Sequence, residues 1–399
     1  MQSPIPLSVA GTHDSSATCY IDPVEGVKCW GLIGLDQCDL SSSHTWKGHS
    51  SPEQIPGLTS GVMAVAIGPK HRCALTSTGA VWCWGCNRHG SLGDGTGRNS
   101  DVPVEARILA SRATAVAVGN DFTCVVSSGA VYCWGDNGFG QLGNGTRITK
   151  TVPTLVSGLE SGVVSVSASW DHACALKSSG ELWCWGANYW GQIGIGTRAT
   201  RAVPTPVSVF GSDVVAVEAF FENTCALKSS GELWCWGMTG TRVSVEYMPM
   251  DRDVPTRVVG LPPDVAAFTA GFMHTCVLAS GGVWCLGSNT AGYMHTCVLP
   301  SGGVWCLGSN DRCLLGIGSN PLSLGETSAN LRKNSLTPVV GLTSDVVAFS
   351  AGTYHTCAVK SGGAVWCWGS NYWGQLGDGT TTDRCIPVLV PGTGGGRLD

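Results

Sequence analysis

The chain has 399 residues, 56 of them glycine, with only 13% charged residues and a formal net charge of -5 at pH 7. Nucleic-acid backbones are bound through Lys and Arg, so the lack of a basic excess or basic tail argues against DNA or chromatin as a partner. No apolar stretch approaches the ~18 residues of a membrane helix, and residues 1–10 lack the charged-then-apolar pattern of a signal peptide.

The first predicted strand covers 5–10, and after it comes Val27-Lys28-Cys29-Trp30-Gly31. That phrase returns about every 50 residues, as Val81-Trp82-Cys83-Trp84-Gly85, Val131-Tyr132-Cys133-Trp134-Gly135 and Leu182-Trp183-Cys184-Trp185-Gly186. It continues as Leu233-Trp234-Cys235-Trp236-Gly237, Val283-Trp284-Cys285-Leu286-Gly287 and Val365-Trp366-Cys367-Trp368-Gly369. Self-similarity at a fixed period of this length denotes a solenoid or a propeller. The repeat fills nearly all of the chain, so the expectation is one domain over 1–391 and a flexible tail at 392–399.

One unit reads from 163 to 209. Residues 163–168 form a β-branched strand, 172–176 a second and 181–185 a third; a glycine-rich loop at 188–197 then leads to a fourth at 204–209. Four short antiparallel strands per unit predict a propeller blade. In the third strand Trp183 and Trp185 share one face and Cys184 takes the other, because side chains alternate; the tryptophans are expected to fill the seams between blades. First cysteines at 19, 73, 124, 174, 225, 276 and 357 predict seven blades. The strand at 386–390 is expected to replace or supplement the fourth strand of blade one and so close the ring.

A second cysteine stands nine or ten positions from each first one, giving Cys19/Cys29, Cys73/Cys83, Cys124/Cys133, Cys174/Cys184, Cys225/Cys235, Cys276/Cys285, Cys297/Cys306 and Cys357/Cys367. The one-residue variation falls in the intervening turn, as expected if a hairpin keeps the two cysteines opposed within disulfide reach. Zinc binding is the rival reading, but the close spacing it prefers occurs once, at Cys83 and Cys86; buried free thiols are the plain alternative. We favour disulfides, and with them an extracellular or other oxidising compartment, the missing signal peptide implying a chain cut from a longer precursor or truncated. A cytoplasmic or nuclear location is the alternative. Cys38, Cys86, Cys313 and Cys385 stand outside the pattern, with no partner legible.

The pair at 297 and 306 belongs to a near-verbatim duplication within 270–310, offset by 21 residues. It supplies a hairpin but no complete blade, and reads as an inserted hairpin in blade six or as a sequencing or assembly artefact.

The phrases His355-Thr356-Cys357-Ala358-Val359, Val365-Trp366-Cys367-Trp368-Gly369 and Asn371-Tyr372-Trp373-Gly374-Gln375-Leu376-Gly377-Asp378-Gly379-Thr380 resemble the regulator of chromosome condensation repeat, over nearly the whole chain and in a disulfide-bearing form. The resemblance implies an all-β, seven-bladed propeller of four-stranded antiparallel blades. The name-giving member is a guanine nucleotide exchange factor for a small GTPase, which the resemblance offers as an alternative function. The cysteine pairs, where intracellular members carry aliphatic or hydroxylic residues, and the missing basic tail depart from that member. The tryptophan-bearing loop phrase of a plant photoreceptor of the same fold is also missing.

No catalytic set stands out. His71, His172, His274, His295 and His355 recur two residues before a cysteine, one per repeat, and are expected to bond backbone of the next blade, not a metal. The runs such as Gly93-Asp94-Gly95-Thr96 read as turns, and Asn144-Gly145-Thr146 is a glycosylation sequon. No metal and no cofactor is expected. The reading is a non-enzymatic, monomeric scaffold that binds a protein partner, and neither nucleic acid nor membrane, through loops on one face. Its aromatic candidates are Trp170, Phe221, Phe272 and Tyr354 after the first strands, and Phe139, Trp190 and Trp373 in the glycine-rich loops.

Overall fold

The computed structural model describes residues 7–12, 15–22, 24–33, 38, 48–107, 112–238, 252–258, 267–271, 274–279, 282–287, 295–298, 304–310, 313–318, 332–351 and 354–394. Among these there is no α-helix; antiparallel strands account for the regular structure, with a three-residue 3-10 turn at Ser208–Phe210. Two compact units divide the chain, one of residues 1–69 and 289–399, the other of residues 70–288.

The second unit shows how the repeat folds. Val163–Ser169, His172–Lys177, Leu182–Gly186 and Arg201–Pro206 pair in that order as a meander, and Val214–Phe220, Asn223–Lys228, Leu233–Gly237 and Arg252–Arg257 repeat it. Ala113–Val118, Phe122–Ser127, Ala130–Gly135 and Lys150–Leu155 form the equivalent sheet before them. The outer strand begins three residues earlier than the sequence indicates. Between Cys184, opposite Thr205, and Gly186, opposite Arg201, the outer strand bulges and Pro204 sits inside the bulge. The proline therefore lies within the strand, where a bulge tolerates its missing N–H. Val207 is already past the strand, donating to the Leu182 carbonyl at 2.9 Å as the 3-10 turn begins.

The cysteines face each other across each hairpin. Cys174 is in register with Cys184 and Cys124 with Cys133, with Cα separations of 4.1 Å and 4.2 Å, and both pairs are disulfide-bonded. Bonds also join Cys19 to Cys29, Cys73 to Cys83, Cys225 to Cys235 and Cys357 to Cys367. The difference in spacing resides in the turn, as expected. Ser128 and Gly129 both have positive φ (50° and 78°), the signature of a two-residue type I′ hairpin, whereas the longer hairpin turns through Gly180 at φ 86°. A bond that the sequence did not reveal joins Cys313 to Cys385.

The two hairpins of the duplication differ from these six. Cys306 is wholly buried against Val304, Leu315, Val339 and Trp368, and it is disulfide-bonded. Its register partner is Cys297, as expected, but the Cys297 side chain lies outside the described residues. Cys306 is thus bonded and stands opposite Cys297 in the ladder, and the Cys297/Cys306 pairing stands as a proposal from register. Cys276 and Cys285 are likewise in register, and their side chains lie outside the described residues.

Alternation along the third strand assigns its two faces to two different seams. Trp185 is fully buried among Leu142, Val156, Leu159 and Val131 of the preceding sheet, while Cys174 and Cys184 pack with Trp236 of the following one. Three of the buried indoles of this unit also donate into the preceding glycine-rich loop: Trp185 Nε1 to the Gln141 carbonyl, Trp236 to Gln192 and Trp134 to Ser91, all at 2.8 Å. The histidines close the same seams. His172 Nε2 meets Thr224 Oγ1 at 3.0 Å, and that hydroxyl donates to the Gln192 carbonyl at 2.8 Å. A hydroxyl has one proton to give, so the imidazole donates from Nε2, and burial, which lowers its pKa to about 4, keeps the ring neutral near pH 7. His71 with Thr123 repeats the pattern. At Nε2 the partner is thus a threonine side chain, because Thr sits one residue before the cysteine of the next repeat, while the next repeat's backbone at Asn223 and Asn120 also bears on His172 and His71.

In the first unit the C-terminal strand Arg384–Leu389 completes the sheet of Val346–Ala351, His355–Lys360 and Val365–Gly369. The sheet of Leu7–Thr12, Ser15–Asp22 and Gly26–Gly31 has its own fourth strand, His49–Gln54, so the strand exchange expected at the ends does not occur. Side chains join the two sheets instead. Trp30 Nε1 donates to the Gln375 carbonyl at 2.9 Å, Thr18 Oγ1 bridges His355 Nε2 and that carbonyl, and Tyr20 donates to the Gly363 carbonyl at 3.1 Å. Beyond the last strand, Thr393 is buried and its hydroxyl accepts from Val365 N–H at 3.0 Å, which docks a residue assigned to the tail. The two copies of the duplicated hairpin form separate three-stranded sheets. The first copy keeps an inner strand, Ala267–Gly271, and the second an outer one, Arg332–Pro338.

Candidate functional site

In a four-stranded meander the loop after the first strand and the loop after the third leave from the same end of the sheet. Every described aromatic candidate lies on one of these two loops, so within each unit they share an end, opposite the disulfide hairpin turns. In the second unit the loops of successive sheets touch. Trp170 and Phe221 meet edge to face with ring centroids 5.0 Å apart, and Asn120 N–H donates to the Trp170 carbonyl at 3.2 Å. Phe221 holds a left-handed φ of 49°, an unfavourable setting for a bulky residue that turns up where a surface is being shaped.

The glycine-rich loops are built around one buried asparagine each. Asn188 Oδ1 accepts from Ile193 N–H at 2.9 Å while its amide donates to the carbonyls of Thr197 and Ala199 at 2.7 and 3.1 Å. Asn137 and Asn371 do the same, which fixes the aromatics that follow. Phe139 packs edge to face on Tyr189 at 5.8 Å, and Tyr189 and Trp190 remain 56% and 36% exposed. In the first unit Trp373 lies against Tyr372 at 4.5 Å, and Tyr354 is half-buried with its carbonyl accepting from Ser370 N–H. Phe272 lies outside the described residues.

The sequence reading missed the carboxylates between these aromatics. Asp121 pairs with Lys70 at 2.5 Å. Gln141 donates to Asp136 at 2.9 Å and reaches Asp171 at 3.5 Å, linking a glycine-rich loop to a first-strand loop. Burial and the charges of Asp136, Asp121 and Glu222 push the Asp171 carboxyl up to about 6, and burial raises Glu222 as well. A signal was available: an aromatic directly precedes an acid at Trp170-Asp171 and again at Phe221-Glu222. The group offers concentrated negative charge beside flat apolar surface. Among the described residues no cluster of three or more His, Cys, Asp or Glu side chains is arranged to hold a metal ion.

Two models of the regulator of chromosome condensation (RCC1) repeat match the chain, one at residues 78–126, 128–176, 179–227, 301–359 and 362–398, the other at 63–91, 113–141, 163–192 and 346–375. The chain is 29% identical over 364 residues to the human E3 ubiquitin-protein ligase HERC2, covering 87% of this chain and 6% of that protein. It is 29% identical over 338 residues to the ultraviolet-B receptor UVR8 of Arabidopsis thaliana, covering 82% of this chain and 70% of the receptor. Among solved structures, Prp20p of Saccharomyces cerevisiae superposes with a TM-score of 0.67 at 21% identity, covering 94% of this chain and 87% of that one. Human WBSCR16 superposes with a TM-score of 0.67 at 20% identity, covering 90% and 92%. These two likenesses show the fold.

Proposed function

We propose that this chain, which belongs to the regulator of chromosome condensation (RCC1) repeat family, is a non-enzymatic binding propeller that takes a cationic protein segment on the loop end of its sheets. The observation that carries the reading is the convergence of Trp170, Phe221, Asp121, Asp136, Asp171 and Glu222 on loops of consecutive sheets. Aromatic faces and carboxylates together suit Lys and Arg side chains, through cation–π contact and charge-assisted hydrogen bonds. A bound cation would also offset the burial and the carboxylate repulsion that together keep Asp171 reluctant to ionise. The Prp20p structure was described together with binding to Gsp1p and histones, which is consistent with protein partners for this fold.

The finer parts of the proposal are a single seven-bladed domain over 1–391 and an oxidising, extracellular setting. The paired cysteines support the setting, because hairpin disulfides persist where thiols are not kept reduced.

The test uses the full chain, immobilised, with an arginine-rich peptide as probe and a glutamate-rich peptide of equal length as control. The arginine-rich peptide should be retained, with affinity falling as salt rises, and Trp170→Ala with Phe221→Ala should abolish retention. Equal retention by the double variant, or of the acidic control, would overturn the assignment of the face.

A further inference from the structure

At every other described joint of this kind, a glycine brings two neighbouring sheets into contact. A Cβ built on Gly90 would fall 2.6 Å from the Thr151 Cα, on Gly140 2.6 Å from Ala202, on Gly191 2.5 Å from Asp253 and on Gly374 2.6 Å from Ser50. Each glycine stands three residues after the loop asparagine, and each contacted residue is the second of an outer strand. Cys313 holds the glycine position, three after Asn310, and Cys385 is the second residue of Arg384–Leu389. The remainder of the joint is unchanged: Gly318 N–H donates to the Cys385 carbonyl at 2.8 Å, as Gly95 does to Thr151 and Gly379 to Ser50. One joint therefore has a covalent bond where the others have bare backbone contact.

Cys313 keeps the glycine's left-handed backbone, with φ 66°. That conformation is unfavourable for a residue with a Cβ, so the bond is what holds the side chain against the outer strand. Accessibility separates this bond from the hairpin disulfides. The hairpin cysteines of the described pairs are at most 7% exposed, whereas Cys385 is half-buried. Thiol–disulfide exchange needs a thiolate to reach a sulfur. In a hairpin opened only as far as the mixed disulfide, moreover, the ladder on either side keeps the freed cysteine thiolate opposite its partner, so it expels the reductant's thiolate and the bond closes again.

We propose that the Cys313/Cys385 bond is a thiol-exchange site that a dithiol reductant opens before the hairpin disulfides. A thiolate of the reductant attacks Cys385 Sγ, the bond to Cys313 breaks, and Cys313 leaves as a thiolate that takes a proton from water. The second thiol of the reductant, as a thiolate, then attacks its own partner sulfur and releases Cys385, so two electrons pass to the protein and the reductant becomes a disulfide. With its bond gone, Cys313 retains an unfavourable backbone and a Cβ crowded against the outer strand, and the 313–318 loop loosens from that strand. This does not depend on which partner the loop face binds.

The experiment treats the folded full chain with limiting dithiothreitol, quenches with N-ethylmaleimide and quantifies labelled peptides. Cys313 and Cys385 should label at least tenfold faster than Cys174, Cys184, Cys357 and Cys367; equal or faster labelling of the hairpin cysteines overturns the proposal. Amide exchange at 313–318 should rise at least tenfold in the selectively reduced protein. In Cys313→Gly/Cys385→Ser, which restores the contact of the other joints, it should stay at the oxidised rate with or without reductant. Unchanged exchange in the reduced wild type would equally refute the switch.

Discussion

Acid should weaken the seams before it dissolves any strand, and His172 allows the effect to be measured at one seam. Its imidazole is buried, and burial lowers its pKa to about 4. An unfolded histidine titrates near 6.5. Above pH 6.5 the ring is neutral in both states and stability does not change with pH. Between 6.5 and 4 only the unfolded chain takes up the proton, so stability falls as the pH falls; below 4 the folded ring is protonated too and the loss levels off. At pH 4.5 the difference amounts to about 2–3 kcal/mol for this one group. His71 and His355 are shifted the same way, by burial, to about 4. Urea unfolding of wild type and His172→Gln, followed by tryptophan fluorescence at pH 7.5 and 4.5 and constant ionic strength, isolates the contribution. The variant should be less stable at pH 7.5, having lost the bond to Thr224, yet should lose about 2–3 kcal/mol less than wild type on acidification. Identical pH slopes for the two proteins would refute the buried neutral imidazole.

Asp171→Asn should act in the opposite sense. Its carboxyl is raised to about 6, so removing the charge should stabilise the protein by up to about 3 kcal/mol at pH 7.5 and by nothing below pH 4, while weakening retention of the arginine-rich peptide; no gain in urea midpoint at pH 7.5 would contradict the burial argument. Replacing Cys174 and Cys184 together by Ser reopens a loop of ten residues and should cost about 3 kcal/mol, with peptide mapping of unreduced wild type showing those two cysteines linked to each other; linkage to another repeat would end the hairpin pairing. The same map should recover Cys306 linked to Cys297. Asn188→Ala strips three backbone partners from a buried loop and should cost about 2–4 kcal/mol, read as a lowered thermal midpoint with Tyr189 and Trp190 more accessible to quenchers.

Repetition made most of the architecture legible. Strand identities followed from β-branched runs and turns, and the hairpin pairing followed from a spacing that changed only where a turn could absorb it. What repetition cannot show is the exception. Cys313 and Cys385 lie 72 residues apart, and only a column-by-column superposition of the repeats places one in a glycine column and the other on an outer strand. The outer strand was set three residues late because Pro204 reads as a strand boundary in one dimension and is a bulge in three. The aromatics of the loop end were picked out because they are conspicuous. The acids beside them were not, because a single Asp on a turn is ordinary until the fold places Asp121, Asp136, Asp171 and Glu222 within range of one another.

The prolines of the outer strands bear on how copies of this protein tolerate crowding. Pro52, Pro103, Pro153, Pro204, Pro255 and Pro387 each lie in the last strand of a meander, within the segment where its pairing slips. A last strand has one unsatisfied side, a template onto which a foreign strand can zip. A proline at that edge removes a donor, and the bulge bends the remaining groups out of the straight row that an incoming strand would need. These six edges are thereby closed to strand addition, whether from a misfolded neighbour or from an extended ligand. At these edges, then, high local density carries little risk of strand-to-strand zipping between copies.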